Sequence, residues 1–148
     1  MCLSIYSHQE VKKGITTSPR IVYKIVKYDH GTIHSLFFQT TYMLRKIYYA
    51  LNKFGKRVKT IKLKASTEYC FMNPETKEIH EGIHYFLTLS AAVSDLSMIH
   101  RQYIMQCSIP ANTRFIDNIS WEMGVCTRIR PVKLLTKTEA RRELKKKR

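Results

Sequence analysis

The chain is poor in glycine, proline and acid: 5 Gly, 4 Pro and 11 Asp plus Glu in 148 residues. So few glycines leave no Gly-rich phosphate loop, and with so few prolines a collagen-like or low-complexity chain is excluded. No apolar run approaches the roughly 18 residues that suggest a membrane span. The 4 cysteines, Cys2, Cys70, Cys107 and Cys126, are far apart and form no Cys-x-x-Cys. Small secreted domains carry a denser disulfide framework, so buried or unremarkable thiols are expected. The opening, Met1-Cys2-Leu3-Ser4-Ile5-Tyr6, has no basic segment leading into an apolar one, and no lipidation signal stands at either end. These features together predict an intracellular protein in a reducing compartment: host cytoplasm or nucleoid, or a virion if the chain is viral.

What the chain does have is apolar bulk and positive charge. Its 44% hydrophobic and 11% aromatic residues can fill one core, and 148 residues suit one domain. Against the 11 acids stand 26 Lys and Arg, a net charge of +15. A field of that size on a small domain favours phosphate polymers and anionic surfaces.

The pattern predicts an α+β fold: a compact, mostly antiparallel sheet with two principal helices and a basic C-terminal tail. Residues 1–135 would form the domain, with 1–19 an irregular N-terminal arm. Ile21 to Tyr28 is β-branched and aromatic and reads as a strand, and Asp29-His30-Gly31-Thr32 as a turn. Leu36-Phe37-Phe38 is a short strand or a buried loop. Leu44, Ile47, Tyr48 and Leu51 fall at i, i+3, i+4 and i+7, which predicts a helix continuing to Phe54 and ending at Gly55.

Ile61, Leu63 and Ala65 alternate with Lys62 and Lys64 as a strand with one cationic face, with Tyr69 to Met72 as its return partner. Gly82 to Leu87 reads as a strand, and Thr88 as the cap of a short helix through Leu96. Tyr103 to Ile109, Arg114 to Asp117 and Trp121 to Ile129 read as strands. Residues 136–148 carry a capping box, Thr136 with Glu139, yet only Ala140 and Leu144 are apolar. This segment is expected to be a cationic tail.

Positive charge is concentrated in two places. Residues 43–64 hold Arg45, Lys46, Lys53, Lys56, Arg57, Lys59, Lys62 and Lys64 with no acid. The C-terminal segment holds Arg141, Arg142, Lys145, Lys146, Lys147 and Arg148. Such cations neutralise phosphates and release counterions. Tyr48 and Phe54 lie on the predicted apolar stripe, which leaves Tyr49 as the residue to stack on bases. The expectation is a non-enzymatic polyanion-binding protein that contacts nucleic acid phosphates through both segments gathered into one surface. With about five phosphates neutralised, the salt slope for duplex DNA would be roughly −4 to −5. An acidic protein or a larger assembly is the alternative partner for the same patch.

The six histidines make no metal motif. His80 and His84, like His30 and His34, are four apart, but in a strand that spacing is about 13 Å, too far for one ion. No metal site is expected, nor a cofactor.

Two resemblances add to this reading. The opening Met1-Cys2-Leu3, Ile21-Val22-Tyr23-Lys24-Ile25-Val26, the Gly82-Ile83-His84-Tyr85-Phe86 segment with its following helix, and Ile104-Met105-Gln106-Cys107-Ser108-Ile109-Pro110-Ala111-Asn112-Thr113-Arg114 resemble stretches of small uncharacterised phage and bacterial proteins. That resemblance implies a compact α+β fold and a phage setting, without an activity. The order of elements also resembles the ADP-ribosyltransferase fold. There His30-Gly31-Thr32 would stand for the first motif, the Tyr85 segment for the second, and Glu122 for the catalytic acid. This second resemblance implies an NAD-using enzyme, or an inactive relative, with His30, Tyr85 and Glu122 meeting in one cleft.

Overall fold

The computed structural model describes residues 3–6, 8–36, 40–65, 77–96 and 102–147. The first strands are β1 (Leu3–Ile5), β2 (Val11–Ile15), β3 (Arg20–Asp29), β4 (Thr32–Ser35), β5 (Thr41–Tyr42), β6 (Tyr48–Tyr49) and β7 (Lys64–Ala65). After them come β8 (Lys77–Ile79), β9 (Ile83–Phe86), α1 (Leu89–Ser94), β10 (Gln102–Ile109), β11 (Arg114–Asn118), β12 (Met123–Cys126), β13 (Arg128–Leu135) and α2 (Lys137–Lys146). The class is α+β: a mostly antiparallel sheet with two helices. The main sheet has ten strands, eight in the order β2-β11-β12-β9-β3-β10-β13-β6, with β4 on β3 and β5 on β4. A separate three-stranded sheet has the order β1-β8-β7.

β3 and β10 form the centre, paired without a break from Gln102↔Lys27 to Ile109↔Arg20. Alternation along them sorts side chains to two faces. Val22, Val26, Met105, Cys107 and Ile109 pack on one face with Tyr42, Tyr85 and Ile129. Tyr23 and Ile104 pack on the other, against Leu89 and Ala92 of α1 and Ala140 of α2. On its remaining edge β3 changes partner. It pairs with β9 at Tyr23↔Phe86 and with β4 only from Val26↔Ser35 onward, so the sheet parts at Lys24 and Ile25.

Both helices carry the expected caps. The Thr88 side chain accepts from the Ala91 amide, and Thr136 with Glu139 completes a capping box. However, the two helices are not the pair read from periodicity. Residues 44–54 form no helix: β6 is drawn into the sheet by pairing Tyr49 with Arg128 and Tyr48 with Ile129. Asn52 then offers its side-chain oxygen to its own turn instead of a helical ladder. The second helix is α2, in the segment expected to be a tail. Its few apolar residues suffice because Ala140 is buried and Leu144 packs beside it on the sheet and α1.

Three further expectations are corrected. The N-terminal arm supplies two strands, because β1 finds an edge on β8 and β2 an edge on β11. The long strand expected over 121–129 is two strands broken at Thr127. β12 lies between β11 and β9, whereas β13 crosses to β10 and β6. Thr127 spans the corner, donating to the Arg114 carbonyl and accepting from the Ala50 amide. Of the strand expected at 61–65, only Lys64 and Ala65 pair. Phe37, Phe38 and the 69–72 return strand lie outside the described residues.

Candidate functional site

Beyond β6 the chain turns back on itself as a hairpin over residues 50–58. Val58 donates to the Ala50 carbonyl at 2.8 Å, Asn52 to that of Lys56 at 2.8 Å, and Leu51 bridges Arg57. Asn52 Oδ1 accepts from the amides of Phe54 at 2.9 Å and Lys56 at 3.0 Å. Gly55 closes the turn at φ +75, a conformation that favours glycine. Asn followed three residues later by Gly is therefore what builds the tip. Ala50 and Val58 are buried at its base, and the Ala50 N–H, donating to the Thr127 carbonyl at 2.8 Å, ties it to the sheet.

The tip is cationic and aromatic together. Phe54 is 75% exposed, with the Lys53 ammonium 5.1 Å from its ring centre. The Arg57 guanidinium lies 3.6 Å from the centre of the Tyr49 ring, and Lys46 sits 5.5 Å from that of Tyr48. These are cation–π distances. Tyr49, expected to be the stacking residue, is 36% exposed and has one face covered by Arg57. The more exposed ring is Phe54, with Lys53 over one face, although helical periodicity assigns it to the core.

Arg45, Lys46, Lys53, Lys56, Arg57, Lys59, Lys62 and Lys64 are all exposed. None of them pairs with an acid among the described residues. Arg45 adopts φ +71, held by its amide to the Pro131 carbonyl and by Arg130 donating to its own carbonyl. Exposed apolar side chains surround these cations, including Met43, Leu44, Ile47 and Leu51.

On α2, Arg141, Arg142 and Lys145 line a shallow cleft of about 270 Å³ with Thr138. Lys146 and Lys147 are exposed beside it, and Arg148 lies outside the described residues. Lys133 and Glu143 are bridged at 3.0 Å, fastening α2 to β13. The two cationic groups do not merge as expected. α2 packs on the Ile104 face of β10, whereas Tyr42 and Tyr48 pack on the Met105 face. Tyr42 and Tyr48, at the base of the hairpin, and α2 thus pack on opposite faces of the sheet.

The three residues named by the transferase resemblance stay apart. His30 projects from the β3–β4 turn with its side chain 91% exposed. Tyr85 is buried, its hydroxyl donating to Asp117 Oδ1 at 2.6 Å. Glu122 is exposed in the turn before β12 at φ +53. β9 meets β3 at Tyr23, so His30 lies roughly 20 Å further along the strand. The expected NAD cleft is not assembled, because Tyr85 faces the core and His30 caps a distant hairpin.

Where the sheet parts at Lys24, a cavity of about 750 Å³ opens between β3, β9 and the base of the hairpin. Lys24, Tyr42, Tyr48, Ile83, His84 and Phe86 are among the residues that line it. Lys24 Nζ donates to the His84 carbonyl. Burial pushes the Lys24 amine below its ordinary value, against the opposing influence of the Cys107 and Cys126 sulfurs. The same burial raises the Cys107 thiol to about 12 and the Cys126 thiol further, leaving both unreactive.

His84 is 8% exposed, and its Nε2 has no hydrogen-bond partner among the described residues. Burial, and then the Lys24 cation, lower its pKa from 6.5 to about 4. The stability carried by the neutral ring is complete above pH 6.5 and is lost as pH falls from there through about 4. In that window the unfolded chain takes up a proton that the folded chain refuses, which amounts to roughly 3 kcal/mol. Urea midpoints at pH 7 and near pH 4 check this: the His84→Gln variant should lose clearly less stability on acidification than the wild type.

Among the described residues no group of three or more His, Cys, Asp or Glu could hold a metal ion, and no helix is long and apolar enough to cross a membrane. No protein-family model matches the chain, and neither curated proteins nor solved structures offer a similar one.

Proposed function

We propose that this protein binds single-stranded nucleic acid through the 50–58 hairpin. Lys53, Lys56 and Arg57, with Arg45 and Lys46 beside them, neutralise phosphates, and Phe54 stacks on an unpaired base. The observation that carries this reading is Phe54, a large ring exposed at a fixed tip with a cation against it. A single strand presents base faces that a duplex keeps stacked, and aromatic stacking tolerates any base. Affinity would come mostly from charge, so little sequence preference is expected. The cationic cleft of α2, on the other side of the sheet, would add a second, weaker contact to a long strand.

Fluorescence anisotropy of a labelled oligothymidine tests the reading. The Phe54→Ala variant keeps every charge and the Asn52–Gly55 turn, so its fold should be unchanged. Losing the stack should weaken binding by about 1–3 kcal/mol, or roughly 5- to 150-fold. Equal affinity of wild type and variant would reject the role of Phe54. Preferential binding of an acidic polypeptide in competition would reject nucleic acid as the partner.

A further inference from the structure

The cavity beside Lys24 is not used by the hairpin reading, and its chemistry is of another kind. Lys24 lines it from the strand position where β3 has left β9 and not yet met β4. Its side chain is half-buried and its amine carries no ion pair: no carboxylate lies within ion-pair distance among the described residues. A single hydrogen bond to the His84 carbonyl fixes its position. The groups facing it are the Cys107 thiol of β10, the Cys126 thiol of β12 and the His84 ring of β9. Glu81 and Asp95 line the same cavity without bridging to it. Tyr42, Tyr48, Ile83 and Phe86 make the walls largely apolar and aromatic.

We propose that Lys24 is the nucleophile of a carbonyl-binding site, whose ε-amine condenses with a small apolar or aromatic aldehyde entering the cavity. The amine lone pair adds to the carbonyl carbon, and the C=O π pair moves onto oxygen, which takes a proton from nitrogen. The carbinolamine then loses one water, and the C=N bond forms. Nothing is oxidised or reduced, and the proton balance closes within the two reactants. A half-buried lysine with no carboxylate in ion-pair distance among the described residues is suited to this step because its surroundings favour the free amine more than solvent does. The neutral His84 ring beside it adds no positive charge to oppose the iminium.

The test is reductive trapping of the folded protein with benzaldehyde and sodium cyanoborohydride at neutral pH, followed by peptide mass mapping of every lysine. Lys24 should carry the benzyl group several-fold ahead of exposed lysines such as Lys53 and Lys59, because its lowered pKa leaves more of it as free amine at neutral pH. Its trapping should also persist to lower pH than theirs. Lys24→Met should remove the fast-reacting equivalent while the slow surface labelling remains. Trapping of Lys24 at or below the rate of the surface lysines in the wild type would overturn the proposal. That comparison needs no variant to fold, and it stands or falls independently of nucleic acid binding.

Discussion

Replacing Asp117 by alanine is expected to destabilise the fold by about 3–5 kcal/mol, the largest effect of any single substitution considered. Asp117 is 2% exposed and serves two partners at once. Arg20 donates to one oxygen at 2.9 Å and the Tyr85 hydroxyl to the other at 2.6 Å. Arg20 also lies 4.7 Å from the centre of the Phe115 ring, so its guanidinium is stacked as well as paired. Removing the carboxylate strands the phenol inside the core, where an unmet hydroxyl is costly.

Gly124 shows how little room there is for repair. A Cβ at that position would stand 2.5 Å from Asp117 Oδ1 and 2.6 Å from the Tyr85 ring. Asp117→Asn keeps an acceptor and loses the charge, so it should fall between wild type and alanine. Urea unfolding of the three proteins decides the matter, and a loss below about 1 kcal/mol for alanine would mean the triad is not a buried network.

The second large effect concerns binding. Reversing the hairpin charges together, Lys53→Glu, Lys56→Glu and Arg57→Glu, should weaken oligothymidine binding about 100- to 1000-fold, or roughly 3–4 kcal/mol. All three side chains are exposed and make no ion pair among the described residues, so the stability lost should be limited to the exposed cation–π contacts of Lys53 and Arg57, about 1–2 kcal/mol. Reversing Arg141, Arg142 and Lys145 on α2 should cost much less, because that cleft lies across the sheet and has no exposed ring. Comparable losses for the two sets would show that bulk charge, and not the hairpin, governs affinity.

Much of the sheet is legible in the sequence. The runs at Ile21–Tyr28, Tyr103–Ile109 and Gly82–Leu87 alternate or are β-branched, and they became the central strands. Thr88 announced its helix because capping is a local interaction, readable within four residues; the Thr136–Glu139 box was equally visible, but the few apolar residues behind it pointed to a tail. The failures came where distant partners decided. The spacing of Leu44, Ile47, Leu51 and Phe54 is genuinely helical, but β13 offered Tyr48 and Tyr49 an edge, and Asn52 with Gly55 made a turn.

That exchange reversed the meaning of the segment. Side chains expected in the core became the exposed surface, and Phe54 replaced Tyr49 as the available ring. The Asn-x-x-Gly spacing was present in the sequence and is the signal that could have revealed the hairpin. In the same way, two apolar residues in α2 were enough once α1 and Leu135 supplied the rest of the contact. The Lys24 cavity had no local sign at all, since it arises from β3 exchanging one neighbour for another.

The most direct measurement is the affinity for oligothymidine as a function of salt. If the hairpin neutralises about four phosphates, log K against log salt should fall with a slope of roughly −3, and Phe54→Ala should lower the whole line without changing its slope. A slope near zero, or anionic lipid vesicles outcompeting the oligonucleotide at equal charge, would contradict the account.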